Sequence, residues 1–287
     1  MKKIIITGSN SYIGTSFKNW VAKWPDKYLV DSIDMIDDAW KEIGFSGYDV
    51  VFHVAGIAHV DAKASLEKLY YKINRDLTIE TAKKAKADRV KQFIFMSSMI
   101  VYGDSSLINK KRIITINTKP QPVNFYGNSK LQAEEGIINL FDNSFNVVII
   151  RSPMIYGKNS KGNYPRLARM AQKLPIFPDI DNERSMIHID NLCEFVRLMV
   201  ENDESGTFFP QNSEYVRTAE MVKIIAEAHR KRIRLTKAFN PALKQIGRFV
   251  GVVNKVFGNL VYEKSMSEYK ENYRIRDFGE SIMATEK

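Results

Sequence analysis

With one cysteine in 287 residues, Cys193, the chain can form no internal disulfide, and no group of Cys and His has zinc-ligand spacing. A reducing compartment and no metal are expected. No stretch approaches the roughly 20 apolar residues of a membrane-spanning helix. Behind Met1-Lys2-Lys3 the apolar run stops at Ile6, too short for a signal-peptide core, so a cytoplasmic protein is expected. Internal repeats, low-complexity tracts and Gly/Ser/Pro-rich linkers are missing too, which excludes a solenoid or flexibly tethered beads. Acidic residues are in deficit. Thirty-three Asp and Glu against 43 Lys and Arg give a net charge of +10, which suits an anionic ligand, nucleic acid or an anionic membrane surface. No nucleic-acid motif accompanies that charge, and no nucleic-acid partner is expected.

The 44% of apolar residues is enough for a sizeable core. Short β-branched runs at 3–7, 28–33, 50–54, 93–97 and 147–150 read as buried strands, and the stretches near 13–24, 66–87 and 126–141 as amphipathic helices. Strict alternation predicts an α/β fold: a doubly wound parallel sheet with right-handed crossovers, binding its ligand beyond the carboxyl ends of the strands.

The first strand runs into Thr7-Gly8-Ser9-Asn10-Ser11-Tyr12-Ile13-Gly14 and then a helix. Gly8 permits the tight turn, Gly14 allows close helix packing, and the free N–H groups of the helix start attract a pyrophosphate. Ser11 stands where such turns usually have a middle glycine and adds a side chain where phosphate approaches. Tyr12 and Ile13 complete the candidate cofactor turn. Beyond the second strand, either Asp31 or Asp34 could bond the adenosine ribose, and the short gap to residue 48 leaves little room for a further strand. Tyr126 and Lys130, four apart at a helix start, share one face, and an ammonium there would lower the phenol pKa toward the working pH. Ser98, after the strand at 93–97, could hydrogen-bond an oxygen whose charge changes during hydride transfer.

The chain resembles the extended short-chain dehydrogenase/reductases acting on nucleotide sugars. The resemblance is carried by the 7–14 turn, Val54-Ala55-Gly56 with Ala58-His59-Val60-Asp61, Asn74, and Ser97-Ser98 to Val101-Tyr102-Gly103. Tyr126 to Lys130, Arg151 to Gly157 and Arg184 to Asp190 extend it along the chain. The resemblance implies a Rossmann domain over 1–155 with 186–204, a nucleotide-sugar lobe over 156–185 with 205–287, and a homodimer formed through paired helices. It implies NAD or NADP as cofactor, in reduced form as hydride donor, and the catalytic set Ser98, Tyr126 and Lys130. It places Ala55, Gly56, Ile57, Asn74 and Pro153 along the cofactor, Lys130 on the nicotinamide ribose, and the Asp34-Met35 pair against the adenine.

Dehydratases of the family carry Asp-Glu after the catalytic hydroxyl, where this chain has Met99-Ile100. Epimerases usually have Asn in an Arg-x-x-Asn-Val-Tyr-Gly run, where Met154 cannot make the amide's bonds. The resemblance is nearest to bacterial 4-ketoreductases of UDP-2-acetamido-2,6-dideoxyhexoses, with Asn163, Arg166 and Arg184 as contacts to a UDP-sugar. A UDP-sugar 4-epimerase with tightly bound NAD is the alternative, and a non-catalytic nucleotide sensor or scaffold is another. His59 and His188 are read as packing residues. The apolar spacing over 241–260 predicts one helix whose stripe faces a core, with peripheral membrane contact as the less favoured reading.

Overall fold

The five apolar runs become parallel strands, and all but the one at 28–33 bury most of their side chains. The computed structural model describes residues 1–58, 64–106, 108, 110–247 and 251–287. His59, Val60, Asp61, Phe249 and Val250 lie outside the described residues. Contacts divide the chain into two units, one of residues 1–103, 120–152 and 192–210, the other of 104–119, 153–191 and 211–287. These boundaries differ from the expected ones mainly at 104–119. That segment joins the second unit because Ile113–Ile114 pairs with Val261–Tyr262 and Ser106 N–H donates to the Asn259 carbonyl, 3.0 Å.

In the first unit the strands are β1 (Lys2–Thr7), β2 (Tyr28–Ile33), β3 (Val50–His53), β4 (Gln92–Ser98), β5 (Asn146–Ser152) and β6 (Gly206–Phe208). Their order is β6-β5-β4-β3-β1-β2, all parallel. Succession reverses at β1, whose neighbours are β2 and β3, so a crevice opens at the carboxyl ends there. Residues 34–49 hold only a single-turn helix at Asp38–Glu42, as the short spacing anticipated. The sixth strand was not anticipated; three residues, Gly-Thr-Phe, carry too little pattern.

Helices α1 (Tyr12–Val21), α2 (Leu77–Ala87), α3 (Phe125–Ile138) and α4 (Ile189–Glu201) accompany the sheet. Alternate strand residues Ile5, Val51, Phe93, Phe95, Val147 and Ile149 form a core with Ala82 and Ala85 of α2 and Ala133 and Ile137 of α3. On α1, Phe17 meets Phe52 edge to face at 5.1 Å. Each such side chain contributes about 1.5–3 kcal/mol on burial. The helix expected over 66–87 is interrupted by a wider π turn, Tyr71–Asp76, before α2.

The second unit has three two-stranded parallel pairs: Ile113–Ile114 with Val261–Tyr262, Met154–Tyr156 with Met186–His188, and Ile176–Pro178 with Arg234–Thr236. Helices Asn163–Lys173, Thr218–Ala228 and Phe278–Glu286 contribute to one core that includes Tyr156, Leu167, Phe177, Val222 and Ile282. The helix expected over 241–260 is two, Asn240–Ile246 and Gly251–Phe257. No helix of the described residues is long and apolar enough to cross a membrane.

One buried ion pair ties α3 to the sheet. Arg151 Nη2 lies 2.6 Å from Glu134 Oε2, Ser97 Oγ donates to the same carboxylate, and Arg151 Nη1 donates to the Tyr102 hydroxyl at 2.6 Å. Removing one member strands a buried charge. Arg151→Met is expected to cost about 3–5 kcal/mol in denaturant unfolding. Pairing it with Glu134→Leu should recover part of that loss.

Candidate active site

The turn after β1 is built around a close backbone approach. Gly8 has φ +107°, and a Cβ there would lie 3.0 Å from the Ala55 nitrogen. Its N–H and that of Ser9 donate to the Ile33 carbonyl at 2.9 and 3.0 Å, joining the ends of β1 and β2. At Gly14 a Cβ would meet Ile6 Cγ2 at 2.8 Å, so the start of α1 can rest on the strand only if that residue is glycine. Ser11 caps α1, its Oγ accepting from Gly14 N–H at 3.0 Å, so the side chain expected to face phosphate is turned onto the helix. Tyr12 and Ile13 form the first helical turn, which has no acidic residue. This positive helix end beside a glycine cradle fits a pyrophosphate.

Register separates the two candidate acids. Ile33 is level with Thr7 at the carboxyl edge, whereas Asp31 pairs with Ile5 and accepts the Tyr48 hydroxyl at 2.8 Å. Asp34 stands beyond the strand end, exposed, accepting Ile36 N–H at 3.0 Å, while Met35 packs into the core. Asp34 is therefore the acid at the carboxyl edge, and Met35, expected beside the adenine, is instead buried in the core.

Next to this turn lie Ala55, Gly56 and Ile57. Asn74, fully buried in the π turn, clasps them: Oδ1 accepts Ile57 N–H at 2.9 Å, and Nδ2 donates to the Ile57 carbonyl at 3.1 Å and to Ser129 Oγ at 3.2 Å. A π turn displaces side chains from their regular helical positions, and such turns recur at functional sites. A Cβ on Gly56 would sit 3.0 Å from Asn74 Oδ1 and 3.3 Å from Lys130 Nζ. Lys130 is thus brought under the Ala55–Ile57 loop. Its Nζ donates to the Met96 carbonyl at 2.9 Å and lies 4.6 Å from the Phe95 ring centroid. Burial pushes its pKa down to about 8, opposed by the Glu134 carboxylate one turn on.

Ser98 ends β4 and hydrogen-bonds Tyr126, the second residue of α3. The Asn124 side chain caps that helix, accepting Gly127 N–H at 2.9 Å. At Gly127 a Cβ would strike the Ile100 carbonyl at 2.8 Å, so this glycine lets the helix start sit against the turn after Ser98. Lys130 was expected to lower the Tyr126 pKa, but here burial raises it to about 12, with the Ser98 hydrogen bond opposing. The difference arises because desolvation of the phenolate is the largest effect. The Tyr70 ring, 5.8 Å away and edge-on, is part of that cover.

Gly8 to Gly14, Ala55 to Ile57, Asn74, Ser98, Tyr126 and Lys130 all belong to the first unit. Pro153, Asn163, Arg166 and Arg184 belong to the second. There Asn163 opens a helix, Arg166 is exposed on it, and Arg184 Nη1 donates to the Lys255 carbonyl at 2.8 Å. Burial lowers the Arg184 pKa to about 10, and no described carboxylate pairs with it. Met154 packs on the second unit's core. His188 is buried and held neutral, pushed to about 4, between Asp190 N–H and Thr285.

His53 was not singled out from the sequence. It bridges Thr7 Oγ1 at 2.7 Å and Thr78 Oγ1 at 3.0 Å, and burial together with Lys130 lowers its pKa to about 3. Its place inside an apolar strand was the available signal. Gly127 had a signal as well, a glycine inside the Tyr-Lys helix turn.

The pattern of the NAD dependent epimerase/dehydratase family matches residues 4–209. A UDP-glucose 4-epimerase of Vibrio cholerae is 32% identical over 251 residues, 79% of this chain and 76% of that protein. The N-acetyl-alpha-D-glucosaminyl-diphospho-ditrans,octacis-undecaprenol 4-epimerase of Escherichia coli O157:H7 is 30% identical over 220 residues, 71% of this chain and 64% of that protein. Among solved structures, a dTDP-4-dehydrorhamnose reductase of Clostridium acetobutylicum superposes with a TM-score of 0.76 at 18% identity, covering 99% of this chain and 98% of that one. This last likeness shows the fold, a Rossmann-type parallel α/β sheet.

Gly8→Ala is expected to leave the far-UV circular dichroism unchanged and to weaken nicotinamide-nucleotide binding at least about tenfold by calorimetry, because its Cβ would crowd Ala55. Lys130 generates a second expectation. Between about pH 8 and the ordinary value of 10.5 the folded chain has released a proton that the unfolded chain keeps. Its contribution to stability therefore rises with pH across that window, and Lys130→Met should abolish the rise in a pH series of unfolding midpoints.

Proposed function

The chain belongs to the NAD dependent epimerase/dehydratase family, NAD(P)-dependent enzymes of nucleotide-sugar chemistry, and from that premise we propose that it reduces the C4 carbonyl of a UDP-4-keto-6-deoxy-N-acetylhexosamine. The observation that carries this reading is Tyr126, half-buried and hydrogen-bonded to Ser98, one turn before a buried Lys130 at the carboxyl edge of a parallel sheet. Reduction requires an acid at the carbonyl oxygen, and a phenol raised to about 12 is protonated at neutral pH.

The nicotinamide, when bound, supplies the hydride. Gly8, Gly14 and the start of α1 would hold its pyrophosphate, Asp34 the adenosine ribose, and Ala55 to Ile57 with Lys130 the nicotinamide end. Asp34 favours NADH, since a carboxylate there repels a 2′-phosphate. Tyr126 gives its proton to the C4 oxygen and Ser98 donates a hydrogen bond to the same atom. Lys130 then stabilises the phenolate left behind. In the second unit, Arg184 has no carboxylate partner among the described residues and suits a diphosphate, with Asn163 and Arg166 as further contacts.

Met99, buried, occupies the place where a dehydratase would need a polar acid, and Met154 offers no amide to substrate. A 4-epimerase holding NAD tightly is the second reading, favoured by the names of the curated relatives. Incubating the protein with NADH and the 4-keto sugar should give stoichiometric loss of absorbance at the reduced-nicotinamide band. Interconversion of UDP-N-acetylhexosamines without added cofactor would establish the epimerase instead. Tyr126→Phe is expected to lower turnover at least about 100-fold while calorimetric cofactor binding survives. Near-normal turnover in that variant, or a chain that binds nucleotide with no turnover in either assay, would overturn both enzymatic readings.

A further inference from the structure

From Arg230 to Tyr262 the chain has eight Lys or Arg and no Asp or Glu. The apolar stripe of this segment turns inward, with Leu243, Val253, Val256 and Phe257 packing on the second unit's core. A helix lying on a membrane by that stripe is therefore not what the structure holds. What remains outside is a different surface. Phe239 is 49% exposed and Ile246 46% exposed. In the same segment Arg230, Lys231, Arg232, Arg234, Lys237 and Lys244 are all exposed, and none forms an ion pair with a described carboxylate.

The surface continues onto neighbouring elements. Arg234 is the register partner of Ile176, and Arg234 N–H donates to the Pro175 carbonyl at 2.9 Å, which brings exposed Leu174 and Ile176 beside it. Lys231 Nζ reaches the Gln172 carbonyl at 2.6 Å, and Asn240 Nδ2 the Asp179 carbonyl at 2.8 Å. The nearby acids Asp179 and Asp181 are already held by Arg217 at 3.1 and 3.4 Å, so they do not neutralise the patch.

We propose that this face, residues 230–246 with Leu174 and Ile176, docks the protein on an anionic lipid bilayer. Unpaired cations are drawn to acidic headgroups, and bulky apolar side chains among them enter the headgroup–acyl boundary. A nucleic acid would satisfy the cations equally but has no use for exposed Leu174, Ile176, Phe239 and Ile246, which is why the lipid surface is favoured. None of its residues is one assigned to catalysis or cofactor binding, and its docking stands whichever C4 reaction the protein performs.

The test is sedimentation of the full chain with vesicles of equal parts phosphatidylglycerol and phosphatidylcholine, with vesicles of phosphatidylcholine alone, and with a short DNA duplex as competitor. Binding to the anionic vesicles at low salt, lost at high salt and on neutral vesicles, is the expected result. The triple variant Lys231→Glu, Lys237→Glu, Lys244→Glu should bind more than about tenfold more weakly. Phe239→Ser with Ile246→Ser should also bind more weakly, and both variants should keep full turnover of soluble substrate, which shows that they fold. No binding to anionic vesicles at low salt, or affinity unchanged in the serine variant together with displacement by DNA, would overturn the proposal.

Discussion

Sealing the Lys130 ammonium beneath a loop that has no side chain at Gly56 is the constraint on which the rest of the first unit depends. Taking a charge out of water costs several kcal/mol unless its environment offsets it. Here the Met96 carbonyl and the face of Phe95, both from β4, and the Glu134 carboxylate of α3 itself do so. For that reason β4 and α3 cannot shift independently. Asn74 adds the third side, joining the Ile57 backbone to Ser129, the residue immediately before Lys130. The Ala55–Ile57 loop and α3 are thereby tied together, with Ser98 and Tyr126 close by at the end of β4 and the start of α3.

Much of this was readable in the residues. Buried parallel strands declare themselves by continuous β-branched runs, and the glycines of the first turn by their place between a strand and a helix. Tyr126, Lys130 and Ser98 could be placed together because parallel strands all present their carboxyl ends to one edge. Other features had no local signal. The strand Gly206–Phe208 is too short for periodicity, and the π turn around Asn74 depends on what α3 brings against it. The break between helices Asn240–Ile246 and Gly251–Phe257 was hidden by a hydrophobic spacing that continues through it. The sign of the Tyr126 shift was also misread, since a Tyr-Lys spacing shows the neighbouring charge but not the depth of burial, and burial is the larger effect.

The second unit follows a different plan, with small parallel pairs stitched around one aromatic centre. Tyr156 illustrates it: its hydroxyl contacts Ser281 at 2.6 Å and accepts from Asn212 at 2.9 Å, while its ring stacks on Tyr164 at 5.5 Å. Such a scaffold has few long regular elements, so its surface residues can differ without disturbing the core. Relatives near 30% identity therefore establish the family, while identity at this level leaves the choice of sugar open.

Ending the sheet at β2 leaves that strand with an unpaired outer border, a row of amide and carbonyl groups able to zip onto the same strand of another molecule. The six residues Tyr28–Ile33 carry one guard against this, the exposed carboxylate of Asp31 tethered by Tyr48. A charge on that border must be stripped of water before a second strand can pair there, which disfavours sheet-to-sheet association.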